Sequence, residues 1–303
     1  MLYKKIKVYM ELVEMKAKLA SLIPFLLGIV YSEYIYGKIN AGFSIILIVA
    51  MLLFNMSVDM LDNYCDYKNA SLEHDYREKT NIIGRENLSL RKVLIAIVLF
   101  VSVSAAMGVY LVYETGYMLL VLGVYSFLVG IFYSAGPRPI SSLPFGEFFS
   151  GTTMGFIIIL ITVGVNIGGF EKLAYNDVAN IFIYSVPSIF AIAALMLTNN
   201  LCDIEEDRVN GRKTLACVLK LENSVKLLYV FYGICIFGII VNVVLKLAPI
   251  TYLLVLAATG KIFKNVKRIE DVPVKNKSFR FAVKNLGIIL VLQFITYFAG
   301  LFI

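Results

Sequence analysis

Aspartates recur at helical spacing in two places. Asn55, Asp59, Asp62 and Asp66 step by 4, 3 and 4 along the chain, and Asn199, Asp203 and Asp207 step by 4 and 4. Asn200 joins the second set three residues before Asp203. On a helix of about 3.6 residues per turn each set forms one stripe. Each stripe leads into a basic loop, Arg77-Glu78-Lys79-Thr80 with Gly84-Arg85 after the first and Gly211-Arg212-Lys213-Thr214 after the second. The chain thus carries one arrangement twice, which predicts two halves that bring their stripes face to face. Facing carboxylates repel, and their protonation equilibria shift unless cations intervene. An all-oxygen donor set favours Mg²⁺, which takes one or two carboxylates together with substrate phosphates. Basic residues beside such a metal make sense when a multiply charged anion lies between them, and a diphosphate fits. Neutralising it as it departs is electrostatic catalysis of ionisation. His74 is the only histidine, which excludes histidine metal sites and Ser-His-Asp triads. Cys65, Cys202, Cys217 and Cys235 have no CxxC or zinc spacing and read as reduced thiols.

The elements that must carry these residues are membrane helices. Of 303 residues, 59% are hydrophobic and 16% charged, whereas soluble domains average about 45–50% and about 25%. A soluble enzyme, a disordered chain and a secreted disulfide scaffold are excluded. The net charge of +7 does not imply nucleic acid, because the charges lie between apolar runs. A bilayer core needs roughly 20 helical residues. That length predicts nine spans, at 19–37, 41–64, 92–113, 116–134, 146–167, 178–201, 224–245, 248–263 and 282–302. The expected fold is an all-α polytopic membrane protein, nine transmembrane helices in a bundle around a central cavity, as one domain over 1–303. Pro187 should kink or open the sixth span. With the N-terminus in the cytoplasm, 25 of the 28 Lys and Arg fall on the cytoplasmic side, leaving Lys38, Lys172 and Lys246 opposite. Both stripes are then cytoplasmic. No cleavable signal peptide is expected, because the N-terminus is charged and apolar sequence begins only near Leu19.

Three runs resemble a known family. The first is Asn199-Asn200-Leu201-Cys202-Asp203-Ile204-Glu205-Glu206-Asp207, continuing to Gly211-Arg212-Lys213-Thr214-Leu215-Ala216. The second is Tyr133-Ser134-Ala135-Gly136-Pro137-Arg138-Pro139-Ile140 with Pro144-Phe145-Gly146-Glu147, and the third is Lys18-Leu19-Ala20-Ser21-Leu22-Ile23-Pro24. Together they resemble the UbiA-type intramembrane prenyltransferases, most closely the 1,4-dihydroxy-2-naphthoate polyprenyltransferase (MenA) branch. The first acidic motif departs from the family order Asn-Asp-x-x-Asp. Here it reads Asp62-Asn63-Tyr64-Cys65-Asp66, so Asp66 matches while Asn63 stands where an aspartate is usual.

The resemblance implies Mg²⁺-dependent transfer of a polyprenyl chain from a polyprenyl diphosphate to an aromatic acceptor. For the naphthoate branch the product is demethylmenaquinone, and the ring loses its carboxylate. It implies catalytic Asp62, Asp66, Asp203 and Asp207, with Asp59, Asn199 and Asn200 assisting at the metals. Arg77, Lys79, Arg85, Arg138, Arg212 and Lys213 are candidates to hold diphosphate oxygens. Lys18, Tyr133 and Glu147 are candidates to bind the acceptor. The expected setting is the plasma membrane, multi-pass, with the active site facing the cytoplasm. The bilayer and the two substrates are the expected partners, and nucleic acid is not one. Two alternatives stay open from the residues: a family member with a hydroxybenzoate, haem or lipid acceptor, and a transporter. Transport sites usually lie near mid-membrane on broken helices, whereas these stripes crowd one face.

Overall fold

The structure, a computed structural model, describes residues 2–69 and 76–303, and within them every regular element is helical. In chain order the α-helices are α1 (Leu2–Leu12), α2 (Leu19–Tyr36), α3 (Ala41–Asn69), α4 (Ile82–Arg85), α5 (Leu90–Thr115), α6 (Tyr117–Ser134) and α7 (Gly146–Thr152). They continue as α8 (Ile158–Ile167), α9 (Tyr175–Cys202), α10 (Ile204–Val209), α11 (Leu215–Val244), α12 (Thr259–Asp271) and α13 (Lys275–Ala299). A π-turn, Thr153–Ile157, joins α7 to α8. Eight helical runs are long and apolar enough to cross a bilayer: α2, α3, α5, α6, Gly146–Ile167, α9, α11 and the run that starts with α13.

The expected count of nine is not reached among the described residues. The segment 248–263 is not one apolar helix: Ile250–Ala258 is 3₁₀ and α12 follows it. At about 2.0 Å per residue for the first part and about 1.5 Å for the second, the composite extends about 37 Å. Its second half carries Lys261, Lys264, Lys267 and Arg268, so it stands outside the eight apolar runs although its length is sufficient to cross. Two other boundaries also move. α3 runs past the expected end at 64 to Asn69, which puts Asp62 and Asp66 on the helix itself. α11 starts at Leu215 instead of 224 and breaks at Lys220, where φ is 63°.

Contacts divide the chain into two units, one of residues 1–19 and 45–139, the other of residues 20–44 and 140–303. In the first unit Leu12 of α1 packs with Met60, Ile82, Ile83, Val93 and Ile97. Ser104 of α5 donates to the Ala50 carbonyl of α3 at 2.7 Å. In the second unit α9 packs against α7, α11 and α13. α9 runs as one helix through Pro187. The carbonyls around the proline take side-chain donors: Asn242 Nδ2 to Tyr184 O at 3.1 Å, and the Cys235 thiol to Pro187 O at 3.3 Å. Tyr31, Tyr184, Tyr252 and Tyr297 form a buried ring cluster between these helices. Three of the hydroxyls donate to buried acceptors, Tyr184 to Leu27 O, Tyr252 to Gln293 Oε1 at 2.7 Å and Tyr297 to Leu247 O. These tyrosines are polar packing inside the unit, not the lipid-facing filler their abundance suggests.

Two glycines set how closely α7 approaches α9. A Cβ on Gly151 would sit 2.8 Å from Ile189 O, and one on Gly155 would sit 2.6 Å from Ile189 N. Small residues four apart let membrane helices pack backbone to backbone. Glu147 lies one turn before Gly151 on the same face, so this close approach also decides whether Glu147 reaches α9. Gly155→Ala is expected to destabilise the protein by about 1–3 kcal/mol, because the methyl meets backbone that cannot yield. A thermal-unfolding midpoint in detergent equal to the parent's would show that α7 and α9 are not held at this distance.

Candidate active site

Each stripe is built within one unit. In the first unit, Lys18 ends the 3₁₀ turn Met15–Lys18 and is 4% exposed. Its ammonium donates to Asn55 Oδ1 at 2.6 Å and ion-pairs with the Asp59 carboxylate. Burial pulls the Lys18 ammonium down to about 8, against the upward pull of the Glu14 carboxylate. One turn further along α3, Ser134 Oγ at the end of α6 donates to Asp62 Oδ1 at 2.5 Å. Asp66 is exposed.

Asn63 does not share this stripe's partners. Its Nδ2 donates to the backbone carbonyls of Asp59 at 3.1 Å and Leu12 at 3.4 Å. Asn81 fixes the other side of the same turn, donating to Asn63 O at 2.9 Å and capping α4 by accepting from Ile83 N at 2.9 Å.

In the second unit the backbone turns at Asp203, which ends α9 and begins α10 with φ −109° and ψ 11°. This break aims Asp203 and Asp207 at different partners. Asp203 ion-pairs with Lys275 at the start of α13. Asp207 is 2% exposed, with Arg212 Nε 3.3 Å from Oδ1 and Thr214 Oγ1 donating to Oδ2 at 3.1 Å. Gly211, at φ +69°, makes the tight turn that returns Arg212 to Asp207, and Arg212 N donates to Asp207 O at 2.8 Å. The guanidinium also donates to Ser141 O at 3.0 Å, and Lys213 N donates to Ser142 O at 2.9 Å. The Gly-Arg-Lys-Thr run is therefore a clamp around one buried carboxylate. Burial pushes the Asp207 carboxyl upward against the pull of Arg212 and Thr214, and the like charge of Asp203 adds to the rise. Asn200 Nδ2 donates to Glu147 Oε1 at 2.8 Å, both groups being buried, and Glu147 Oε2 has no hydrogen-bond donor among the described residues. Asn199 is half-buried on the adjacent face.

The other expected residues divide by position. Arg85 is engaged away from the stripe, donating to Glu11 Oε1 of α1 at 2.6 Å. Lys79 and Lys213 expose their side chains, Arg138 is exposed and Tyr133 is half-buried. Arg77 lies in the π-turn Tyr76–Thr80, its side chain outside what the structure describes, and His74 lies outside the described residues altogether. Lys18 and Glu147, expected near an acceptor, instead contact Asp59 with Asn55 and Asn200 respectively. Sequence reasoning missed Ser134 and Lys275 as partners of the stripes. Ser134 was inside a quoted motif, but nothing local to Lys275 distinguishes it from seven neighbouring cations.

Among the described residues no three acidic, histidine or cysteine side chains converge in a metal-holding geometry. Mg²⁺ does not require that, since it usually binds through one or two carboxylates plus substrate phosphates and water. The donor set fits such an ion: hard oxygens only, with Lys275 and Lys18 each placing a positive charge on a stripe carboxylate.

Comparison with known proteins agrees with this chemistry. The model of the UbiA prenyltransferase family matches residues 21–286. A 1,4-dihydroxy-2-naphthoate octaprenyltransferase of Bacillus subtilis (strain 168) is 28% identical over 218 residues, covering 71% of this chain and 67% of that one. A UbiA homologue from Archaeoglobus fulgidus, solved bound to GPP and Mg²⁺, superposes with a TM-score of 0.71 at 16% identity. That match covers 98% of this chain and 100% of the other. The apo structure of a UbiA homologue from Aeropyrum pernix K1 gives a TM-score of 0.73 at 16% identity, covering 93% and 98%. These structures share the fold.

Proposed function

The chain belongs to the UbiA prenyltransferase family, and from that premise we propose that it transfers a polyprenyl chain from polyprenyl diphosphate to 1,4-dihydroxy-2-naphthoate. The naphthoate assignment rests on the similarity to the Bacillus subtilis enzyme. The observation that carries the transfer chemistry is the clamped, buried Asp207 beside the Lys275-paired Asp203. A carboxylate kept out of water and already matched by cations is suited to a site whose net charge changes when a diphosphate arrives.

In this reading Asp203 and Asp207, and on the other stripe Asp62 and Asp66, would hold Mg²⁺ against the diphosphate, with Asp59, Asn199 and Asn200 assisting. Bound there, Mg²⁺ supplies Lewis-acid neutralisation of the leaving group. Lys275 and Arg212 offer movable positive charge that can pass from carboxylate to phosphate oxygens. Arg77, Lys79, Arg138 and Lys213 are further candidates for the phosphate oxygens. The C–O bond to diphosphate breaks and its electron pair leaves with the diphosphate. The electron-rich ring carbon then forms the C–C bond, and the ring carboxylate departs as CO₂, returning its pair to the ring. The apolar helices exclude water that would capture the allylic cation. Tyr133 and Glu147 are proposed to shape the acceptor pocket, Glu147 through its hold on Asn200. Lys18 is proposed to meet the acceptor carboxylate by exchanging it for Asp59. The charge asymmetry supports nine crossings, a plasma-membrane setting and cytoplasmic stripes.

Purified protein incubated with Mg²⁺, labelled polyprenyl diphosphate and 1,4-dihydroxy-2-naphthoate is expected to yield a lipid-soluble quinol, detected as the quinone after oxidation by air, and abolished by EDTA. Product with another aromatic acid but none with naphthoate would move the acceptor assignment. Transfer to no acceptor would sink the reading.

A further inference from the structure

The turn between α12 and α13 holds a second group of cations, distinct from the Lys275 that pairs with Asp203. A cavity of about 610 Å³ opens there, lined by Arg268, Asp271, Lys277, Arg280, Phe281 and Lys284 among others. Its volume lies within the range of about 300–1,000 Å³ common to ligand pockets. Lys277 and Arg280, Lys277 and Phe281, Arg280 and Lys284, and Phe281 and Lys284 are each three or four residues apart, which puts them on one face of α13.

The charges converge on one ring. Arg280 lies 5.0 Å from the Phe281 centroid, Arg268 5.1 Å and Lys284 5.7 Å. An aromatic face attracts one cation well, but three around one ring repel each other. None of the four lining cations forms an ion pair among the described residues. The one acid in the lining, Asp271, is 3.2 Å from Lys267 and so is already matched. The polar pair Asn265–Asn285, at 2.8 Å, locks α12 to α13 beneath the cavity, so the cations are held on a rigid base.

The surroundings identify the ligand. Val272, Val274 and Val283 expose 41%, 45% and 47% of their surface beside the cations. The charged face of α13 also stops at Lys284, where its apolar portion begins. That is the depth of lipid phosphates in a bilayer, and basic pockets between membrane helices bind anionic headgroups. We propose that the α12–α13 turn binds an anionic phospholipid, its phosphate among Arg268, Lys277, Arg280 and Lys284 and its acyl chains along the exposed valines.

The test uses the full chain in phosphatidylcholine nanodiscs doped with phosphatidylglycerol, reading co-retained lipid by native mass spectrometry. The parent is expected to enrich phosphatidylglycerol. Each of Arg268→Gln, Arg280→Gln and Lys284→Gln should lower that enrichment about fivefold. Arg268→Lys and Arg280→Lys should retain it, and so should Arg91→Gln with Lys92→Gln, which together remove twice the charge of any single variant from exposed positions on α5. Equal loss in that control pair would overturn the proposal by reducing it to bulk charge. Displacement of the lipid by millimolar inorganic phosphate would assign the site to a soluble phosphate and overturn the lipid reading. All of these residues are exposed on the folded surface, and unchanged unfolding midpoints would confirm that the variants fold.

Discussion

Asp207→Ala is expected to lower prenyl transfer by about 10³-fold while the protein still folds. A preorganised charge at a water-excluded site is worth about 10²–10³ in turnover, and Asp207 is the most buried carboxylate of the two stripes, 2% exposed. Its structural partners can do without it. The Arg212 side chain is 37% exposed and keeps its bond to Ser141 O, and Thr214 Oγ1 keeps its contact with Cys217 Sγ at 3.3 Å. Losing the hydrogen-bonded carboxylate should therefore cost about 1–3 kcal/mol of stability, too little to explain a collapse of turnover. Asp207→Asn sharpens the test. The amide oxygen can still accept from Thr214, so the fold is preserved while the charge is gone. Turnover of Asp207→Asn within tenfold of the parent would show that the carboxylate is structural and that the site lies elsewhere. Mn²⁺ titrated against the protein with diphosphate present gives the second readout. It should bind the parent and fail to bind Asp207→Asn.

What could be read beforehand was whatever repeats locally. The helical steps of Asn199, Asp203 and Asp207 and the Gly-Arg-Lys-Thr run are contiguous, and the run folds into a clamp around Asp207. Two of those residues, Asp207 and Arg212, meet because Gly211 supplies a positive φ that the sequence shows outright. Eight spans were visible because an apolar run is its own signal. The segment after Pro249 is legible only in part: its first half is as apolar as a span, while its 3₁₀ winding is a tertiary outcome. Lys275 could not be found, because its pairing with Asp203 bridges 72 residues and depends on how α13 packs against α9. The partner of Arg85 was hidden in the same way, because only the fold brings Glu11 of α1 to it.

The order of the first motif is where sequence and geometry disagree most usefully. Swapping Asp62 and Asn63 would restore the family's usual order, and if order alone mattered the swap would be tolerated. The structure predicts the opposite. Position 63 faces two carbonyl oxygens, Asp59 O at 3.1 Å and Leu12 O at 3.4 Å, and needs a donor. A carboxylate there has no proton to give and repels both. Leaving such groups unmatched costs about 1–3 kcal/mol each, so Asn63→Asp should lose about 2–4 kcal/mol and loosen α1 from the Met60, Ile82 and Ile83 core. Asp62→Asn, by contrast, keeps an oxygen to accept from Ser134 Oγ and should leave the unfolding midpoint nearly unchanged. Its effect should fall on turnover, because only the charge is lost. The double variant should then be both unstable and inactive. A double variant more active than Asp62→Asn alone would mean that residue 63, not 62, addresses the substrate. On the proposed reading the acidic role falls to Asp62, because α1 claims position 63 for a hydrogen-bond donor.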